Sequence, residues 1–367
     1  MKKVVVGLSG GVDSAVACYL LKQKGYEVEA IFMQNWDSFI NHENYDNQKE
    51  KCDAQYEWED AKKIADVLGV KISKVDFIKE YWDYVFSNFI AEYKKGHTPN
   101  PDVLCNKYIK FGCFLKYAFE NMKCDFIATG HYANKKNNKY GSLLKMAKDK
   151  NKDQTYFLCQ LSEEQVNKSI FPLARLTKKK VRKIANKIGL DVWNKKDSTG
   201  ICFIGERNFK QFMKNYLPEK PGDIIDIDSN VIIGKHEGIV FYTIGQNSKL
   251  NLGGMKTKYY VCKKDVDNNI LYVCSEDKKN KYLLSKQAII NQFNWINPKY
   301  IPKTNQKILV RFRHRQKLIK CHFEINKDKS VKLIYKKGQF AVTQGQYAVL
   351  YHKKICLGGG VIDNYVI

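Results

Sequence analysis

Hydrophobic and polar positions in the first half of the chain follow two alternating periods. Short apolar runs predict strands, and longer stretches with apolar residues every three to four positions predict helices between them. The predicted strands are Val4–Val6, Glu27–Met33, Val70–Val75 and Cys124–Gly130. The predicted helices are Ala15–Lys24, Ala54–Leu68, Ile78–Lys95, Lys107–Asn121 and Thr177–Ile188. This alternation predicts an α/β fold with a doubly wound parallel sheet, in which ligands bind at the carboxyl ends of the strands.

Beyond about residue 207 the pattern changes to short alternating stretches broken by Gly, Asp and Asn. The segment YYVCKKDVDNNILYVC (259–274) predicts a strand, a turn and a strand, and residues 307–325 and 347–362 predict hairpins. We therefore expect three domains. They are an α/β domain over residues 1–206, a small central domain over 207–284 and an antiparallel, β-barrel-like domain over 285–367.

The charge balance is strongly basic. Lys and Arg number 63 against 38 Asp and Glu, a net charge of +25, which favours a polyanionic partner with nucleic acid as the first candidate. A lysine-rich composition without such a partner is the alternative. Residues 301–367 alone hold 14 Lys and Arg against 3 Asp and Glu. We therefore expect the C-terminal part to carry the electrostatic contact.

Other compositional features exclude several classes of protein. No apolar run approaches the ~20 residues that span a bilayer, and the Met-Lys-Lys start does not resemble a signal peptide, so we expect a cytoplasmic protein without membrane contact. The eleven cysteines include no C-x-x-C pair, and the seven histidines show no H-x-x-x-H spacing. We therefore predict no protein-bound zinc or iron–sulfur site.

The stretch from Gly7 to Ser14, GLSGGVDS, is a candidate phosphate-binding loop. It lies between a predicted strand and a predicted helix, so its backbone N–H groups and the helix N-terminus favour an anion. No Lys follows the glycines, which excludes the usual P-loop, and the dinucleotide G-x-G-x-x-G pattern is absent too. We expect the loops after Val6, after Met33 and at Thr129–Tyr132 to converge on one crevice. A packing turn without a ligand is the alternative.

Two cysteines lie among turn-forming and basic residues. Cys105 follows TPNPD at the predicted start of a helix near Asn106, where the helix dipole and nearby lysines would favour its thiolate. Cys202 lies in KKDSTGICFIGER (195–207). For each cysteine in isolation, a buried structural role is the favoured interpretation. Together with a nucleotide-binding loop, they suggest one nucleophile and one resolving thiol.

The S-G-G-V-D-S motif resembles the signature of the PP-loop ATP pyrophosphatases. This resemblance implies that ATP is cleaved between its α- and β-phosphates, that AMP activates a carbonyl oxygen of the substrate, and that Asp13 helps to hold Mg²⁺. Amide synthetases and tRNA thiolases share this chemistry, so the motif alone leaves the substrate open.

Further motifs resemble the MnmA family of bacterial tRNA-specific 2-thiouridylases in order and spacing along essentially the whole chain. They are GLSGGVDS (7–14), IFMQNW (31–36), TPNPDVLCN (98–106), ATGHY (128–132), NKDQTYFL (151–158), KKDSTGICFIGER (195–207), TQGQYAVLY (343–351) and CLGGG (356–360). The resemblance implies ATP-dependent 2-thiolation of the wobble uridine in tRNAs for Lys, Glu and Gln. It also implies contact with the anticodon stem-loop and a persulfide donor protein from a sulfur relay; we expect a monomer.

The same resemblance implies roles for individual residues. ATP would contact Gly7, Leu8, Ser9, Gly10, Gly11, Val12, Asp13, Ser14, Met33 and Gly130. The target base would contact Asn100, Pro101 and Asp102, and Asp102 would act as general acid and base. Cys202 would carry the persulfide sulfur, and Cys105 would resolve it through a disulfide with Cys202. tRNA would contact His131, Lys152, Asp153, Gln154, Arg313, His314 and Gln346.

Several features qualify this resemblance. Asn247-Ser248-Lys249 stands where the family usually has Arg-Lys-Gly, His97 replaces a common Arg or Lys, and Gln344 replaces a frequent Pro.

The alternation of Arg311, Arg313 and Arg315 predicts that all three lie on one face of a strand and contact phosphates. Another AMP-forming PP-loop synthetase and a non-catalytic tRNA-binding protein are the alternative functions.

Overall fold

The structure is a computed structural model that describes residues 1–37, 53–196, 209–255, 257–303 and 306–367. Its first part contains the strands β1 (Lys3–Gly7), β2 (Glu27–Gln34), β3 (Ile72–Asp76), β4 (Phe126–Ala128), β5 (Ala133–Asn138), β6 (Gly141–Met146) and β7 (Ser169–Ile170). Five of them form a sheet in the order β3-β2-β1-β4-β7, and every neighbouring pair is parallel. The predicted parallel sheet is therefore confirmed.

Helices cover both faces of this sheet. They are α1 (Val12–Gln23), α2 (Asp53–Leu68), α3 (Ile78–Tyr81), α4 (Ser87–Lys94), α5 (Pro101–Leu104), α6 (Phe114–Asn121), α7 (Glu163–Asn167) and α8 (Lys178–Lys187), with a 3-10 turn at Asp191–Asn194. Alternate residues of β1 face opposite cores: Val4 and Val6 pack with α1, α2 and α8, whereas Val5 packs with the residues of α3 to α6. The sheet is thus doubly wound.

Two long helices each contain a π-helical stretch. Trp82–Phe86 joins α3 to α4, and Cys105–Cys113 joins α5 to α6. The second of these, the 101–121 helix, begins at Pro101 and not near Asn106 as the sequence predicted. Pro suits the first position of a helix because its missing N–H would have no partner there and its φ is already helical. The prolines thus start this helix rather than maintain a loop up to Cys105.

The chain from residue 209 to 283 forms a small domain around the middle sheet, which has the order β10-β11-β8-β9. Its elements are α9 (Phe209–Lys214), β8 (Gly222–Asp226), β9 (Ile232–His236), a 3-10 turn (Ile239–Phe241), β10 (Tyr259–Asp265), β11 (Ile270–Ser275) and α10 (Lys279–Leu283). Strands β10 and β11 pair antiparallel around the predicted Asn-containing turn. Val261, Leu271 and Val273 lie in its core.

The remaining strands close into a six-stranded antiparallel barrel. They are β12 (Leu284–Trp295), β13 (Ile308–Arg311), β14 (Ile319–Ile325), β15 (Val331–Phe340), β16 (Tyr347–His352) and β17 (Ile355–Val366), with a 3-10 turn at Pro298–Tyr300. The barrel closes because β12 pairs with both β15 and β17. Both predicted hairpins are present. In addition, the β5–β6 hairpin from the first part of the chain joins the barrel sheet, where Lys145 pairs with Ile355.

Among the residues that the structure describes, no helix is long and apolar enough to cross a membrane.

Candidate active site

The loop between β1 and α1 has the geometry of an anion site. Gly10 adopts φ +70°, a left-handed conformation that glycine tolerates best. Helix α1 begins at Val12, and its N-cap Gly11 offers no side-chain cap to the first-turn N–H groups. The Ser14 hydroxyl donates to the Gly11 carbonyl at 3.0 Å and accepts from the Ser9 N–H at 3.2 Å. The loop is thus held in shape by its own residues, while the first N–H groups of α1 remain available to a phosphate.

The neighbouring strand ends meet this loop as the sequence predicted. A Cβ added to Gly130 would lie 2.7 Å from the Ser14 nitrogen and 2.8 Å from the Asp13 carbonyl carbon. The Met33 methyl lies 3.0 Å from the position of a Cβ on Gly7. The ends of β1, β2 and β4 therefore converge on the loop, with Met33 and Gly130 against it, which is where the crevice of a parallel sheet is expected.

Asp13 binds a lysine that the sequence analysis missed. The Lys178 ammonium lies 2.7 Å from Asp13 Oδ2, and the Tyr132 hydroxyl donates to Oδ1 at 2.8 Å. Lys178 opens helix α8, and its side chain is only 12% exposed. A loop that lacks its own lysine therefore has one from a helix 165 residues away. Thr177 is the N-cap of α8 and its hydroxyl accepts the Lys180 N–H, but no local signal pairs this helix with the loop.

Asp13 is suited to hold Mg²⁺ together with a nucleotide. Mg²⁺ usually takes one or two carboxylates plus phosphate oxygens and water. The Asp13 carboxylate lies at the loop, and its present partners are a lysine and a hydroxyl that a cation can replace. No cluster of three or more His, Cys, Asp or Glu side chains suited to a metal occurs within the described ranges.

Asp102 and Cys105 lie on the first two turns of the 101–121 helix. Asn100 is its N-cap with φ −121°, Asp102 lies in the first turn, and Cys105 opens the π-helical stretch. Cys105 is completely buried. The predicted position of Cys105 at the helix start is therefore wrong: it is the fifth residue of the helix, and the field of a helix terminus falls off within the first turn. The next residue, Asn106, is also buried and donates to the Phe157 carbonyl at 3.2 Å.

Cys202 lies outside the described residues, so its pairing with Cys105 stays a prediction. The residues on either side are described. Lys195 forms a 2.7 Å ion pair with Asp60, whose Cβ lies 3.1 Å from the position of a Cβ on Gly10. On the C-terminal side of residues 197–208, the Phe212 ring of α9 contacts the Trp36 ring at a centroid distance of 5.9 Å. Both rings lie in the core that also contains Cys105.

The residues expected near tRNA in the ATGHY and NKDQ motifs pack closely together. His131 is buried, its Nδ1 lies 2.8 Å from the Thr129 hydroxyl, and burial lowers the pKa of its imidazole well below the usual value. Gln154 accepts the Tyr132 N–H at 2.9 Å, and Lys152 is partly exposed. The side chain of Asp153 is buried inside the protein, where it accepts hydrogen bonds from Ala147 N–H and Thr155 Oγ1.

The three alternating arginines of the barrel do not lie on one strand face as the sequence predicted. Strand β13 ends at Arg311, which is buried and lies 3.6 Å from Asp153. Arg313 and Arg315 lie in the following turn, where Arg315 has φ +65°. Arg313 donates to the Ala341 carbonyl at 2.8 Å. The period-2 argument fails because the strand stops at the first of the three arginines.

His314 and Gln346 connect the barrel to the first domain. His314 Nε2 lies 3.1 Å from the Asp153 carbonyl, and its ring lies 4.5 Å from the Phe157 ring. The Gln346 amide donates to the Thr98 carbonyl at 2.7 Å. Both residues thus contact segments adjacent to the site motifs.

The departures from the family pattern are accommodated locally. His97 Nδ1 lies 2.7 Å from Glu92. Gln344 contacts Thr98 through its carbonyl, a group that proline also has. In the divergent loop Asn247–Lys249, Lys249 takes φ +59° and Ser248 accepts a hydrogen bond from Gln246.

Comparisons with known proteins agree with this architecture. Residues 2–206 match the family described as tRNA methyl transferase HUP domain, residues 210–275 the tRNA methyl transferase PRC-barrel domain, and residues 285–362 the aminomethyltransferase beta-barrel domain. The tRNA-specific 2-thiouridylase MnmA of Malacoplasma penetrans is 57% identical over 372 residues and covers all of both chains. That of Mycoplasma capricolum is 54% identical over 374 residues, or 100% of this chain and 99% of the relative. That of Ureaplasma parvum is 51% identical over 368 residues, or 99% and 94%. The chain therefore belongs to the family of tRNA-specific 2-thiouridylases, MnmA.

Proposed function

We propose that this protein is an ATP-dependent tRNA sulfurtransferase that converts the wobble uridine of tRNAs for Lys, Glu and Gln into 2-thiouridine. The observation that carries this proposal is identity of 50% or more along the entire chain to curated 2-thiouridylases. The crevice at the Gly7–Ser14 loop and the buried Cys105 support it, because the reaction needs both a nucleotide site and a thiol.

The first half-reaction activates the base. The loop and the N-terminus of α1 bind the β- and γ-phosphates, and Lys178 adds positive charge at Asp13. Asp13 would hold Mg²⁺, which would supply positive charge to the phosphates. Uracil O2 attacks the α-phosphorus, the α–β bond breaks and pyrophosphate leaves. Asp102 accepts the N3 proton, so that the adenylated base is neutral.

The second half-reaction transfers sulfur. The terminal sulfur of a Cys202 persulfide attacks carbon 2, and the C2–O2 bond breaks as AMP leaves. The Cys105 thiolate then attacks Cys202 Sγ, which breaks the S–S bond and leaves the sulfur on carbon 2. Asp102 returns the proton to N3. The products are 2-thiouridine and a Cys105–Cys202 disulfide, which a cellular dithiol must reduce before the next turnover.

The described residues around Cys202 support this pairing. One flank is tied to α2 beside the nucleotide loop through Lys195 and Asp60, and the other packs into the core that contains Cys105. The two described flanks of residues 197–208 thus lie at the nucleotide loop and at the core that contains Cys105.

tRNA binds in this proposal through the anticodon stem-loop, with the wobble base flipped out of its stack. Lys152, Gln154, His314 and Gln346 contact the RNA, and the net positive charge of the barrel attracts its phosphates. His131 and Asp153 are buried and contribute by holding these contacts in place through their hydrogen bonds to protein atoms, whereas the exposed Arg313 joins the RNA contacts. A sulfur-relay protein delivers the persulfide, and the protein acts in the cytoplasm as a monomer.

Nucleoside mass spectrometry tests the function. The protein, Mg-ATP, unmodified tRNA and a persulfide source should yield 2-thiouridine together with AMP and pyrophosphate. Cys105→Ala and Cys202→Ala should each abolish thiouridine, while tRNA binding stays within about twofold because the proposed role of both thiols is sulfur transfer and not phosphate binding. Cys113→Ala is the matched control, since Cys113 lies on the same helix and is partly buried.

The outcomes separate the alternatives. Normal thiolation by either cysteine variant would exclude the two-cysteine mechanism. AMP formation without thiouridine in the wild type would indicate another AMP-forming synthetase. tRNA binding without AMP formation would indicate a non-catalytic binding protein.

A further inference from the structure

All three parts of the protein meet at one short loop, Gly96–Asn100, which connects α4 to the 101–121 helix. Gly96 ends α4 with φ +78°, and its N–H donates to the Tyr93 carbonyl at 2.9 Å. Four residues further on, Asn100 caps the helix that carries Asp102 and Cys105. The position of this loop therefore sets the position of the first turns of that helix.

The middle sheet contacts the loop through Lys264. The Lys264 ammonium donates to the Gly96 carbonyl at 2.8 Å, and burial lowers the pKa of Lys264 to about 7. The fit is close, because a Cβ on Gly96 would lie 2.5 Å from a methyl of Val266. The Thr98 and Thr243 hydroxyls lie 3.4 Å apart. Burying the polar end of a lysine against one carbonyl is costly, so stability alone does not explain its presence at this place.

The barrel contacts the same loop from another side. The Thr98 N–H donates to the Gln344 carbonyl at 3.0 Å, and the Thr98 carbonyl accepts from the Gln346 amide at 2.7 Å. Gly345 lies between these residues with φ +86°, and a Cβ there would lie 3.0 Å from the Thr98 nitrogen. Both polar backbone groups of Thr98 are thus bound by the turn between β15 and β16.

We propose that Lys264 and Gln346 are positioning residues for the sulfur transfer, which hold the Gly96–Asn100 loop and thereby aim Asp102 and Cys105 at the target base. This inference rests on the proposed function. Neither side chain touches the reacting atoms in this role. Gln346 is also an expected tRNA contact. RNA bound to the barrel therefore contacts the same hydrogen-bonded junction that positions the 101–121 helix.

A positioning residue and a tRNA-binding residue affect different kinetic parameters. A misplacement of about 1 Å in a reacting group can cost about a hundredfold in rate. Loss of the Lys264 contact should therefore lower kcat while leaving the affinity for tRNA intact, since the amine of Lys264 is bound to the Gly96 carbonyl. A residue that acts only on tRNA binding would change KM instead.

The test uses Lys264→Met in the full chain with transcribed tRNA. This change keeps the length of the side chain but removes the donor. We expect kcat for 2-thiouridine formation to fall at least about tenfold, with KM for tRNA within about twofold. Lys264→Arg, which keeps a donor, should recover part of the loss. Lys263→Met is the matched control, since Lys263 is the exposed neighbour on the same strand, and it should match the wild type.

Gln346→Leu carries the same test from the barrel side if Lys264→Met does not fold. At saturating tRNA it should still show a reduced kcat, whereas a pure tRNA contact would recover fully. A wild-type protein that thiolates tRNA while Lys264→Met and Gln346→Leu keep its kcat would overturn the inference alone. A wild-type protein that forms no 2-thiouridine would overturn the proposed function and this inference together.

Discussion

The buried pair of Arg311 and Asp153 connects the barrel to the NKDQ segment and yields a quantitative prediction. Arg311 Nη1 lies 3.6 Å from Asp153 Oδ2, and the two side chains are 7% and 0% exposed. At an effective dielectric constant of about 20, two unit charges at this distance attract by about 4.6 kcal/mol. The Asp153 carboxylate also keeps hydrogen bonds from Ala147 N–H at 2.9 Å and Thr155 Oγ1 at 2.8 Å. We therefore expect Arg311→Met to cost about 3 kcal/mol, the lower end of the range for breaking a buried pair.

The pH dependence of this cost follows from Asp153. Burial raises the pKa of this carboxyl, against the lowering effect of its hydrogen bonds and of Arg311. Without Arg311 its folded-state pKa rises further above the unfolded value of about 3.9. The folded variant then binds a proton that the unfolded chain has released, so its stability falls as pH rises through that window. The cost of Arg311→Met should therefore be larger at pH 8 than at pH 5.

A double-mutant cycle measures the pair directly. Urea denaturation of the wild type, Arg311→Met, Asp153→Asn and the double variant should give a coupling free energy of about 2–3 kcal/mol, because the double variant leaves no unpaired buried charge. The matched control is the cycle for Lys79 and Asp83, a pair on a helix surface whose side chains are 85% and 45% exposed. If the two cycles give indistinguishable coupling, the buried pair does not connect the domains energetically and our reasoning is refuted.

Two further predictions concern the crevice and the junction. Gly130→Ala should weaken ATP binding at least about tenfold, because its Cβ would meet backbone atoms at 2.7 Å. Gly253→Ala should not change ATP binding, because nothing lies within 4 Å of a Cβ at that position. Isothermal titration calorimetry with ATP measures both variants, and equal affinities would contradict the close approach at Gly130. The pKa of Lys264 is about 7 in the folded protein, against an ordinary value of 10.5 in the unfolded chain. Between these two pH values the unfolded chain therefore binds one proton more than the folded protein. The stability of the wild type relative to Lys264→Met should therefore rise between these pH values, by at most about 1.4 kcal/mol per pH unit. Thermal melts of both proteins measure this, and a stability difference that does not change with pH would contradict the lowered pKa.

The elements that were predicted correctly are those whose signal is local. The parallel sheet is indicated by the apolar runs of β1 and β2 and by the glycine that follows α1. The crevice is indicated by the Gly-rich turn after β1. The ion pair between Lys178 and Asp13 could not be predicted, because it depends on packing α8 against α1. The helix start at Pro101 was missed because a proline between turn residues fits a loop as well as a first helical position. The β5–β6 hairpin was missed because β5, ANKKNN, has no apolar face at its outer end.

That hairpin has a consequence for how the chain is made. Lys145 and Ile355 pair across 210 positions, and Met146 N–H donates to the Lys354 carbonyl at 2.8 Å. At a synthesis rate of about 5–20 residues per second, β6 waits roughly 10–40 seconds for its partner strand to be translated. The edge of β6 that pairs with β17 thus stays uncovered until β17 is synthesised. An uncovered strand edge can pair with another chain, so the nascent α/β domain is exposed to aggregation during this interval.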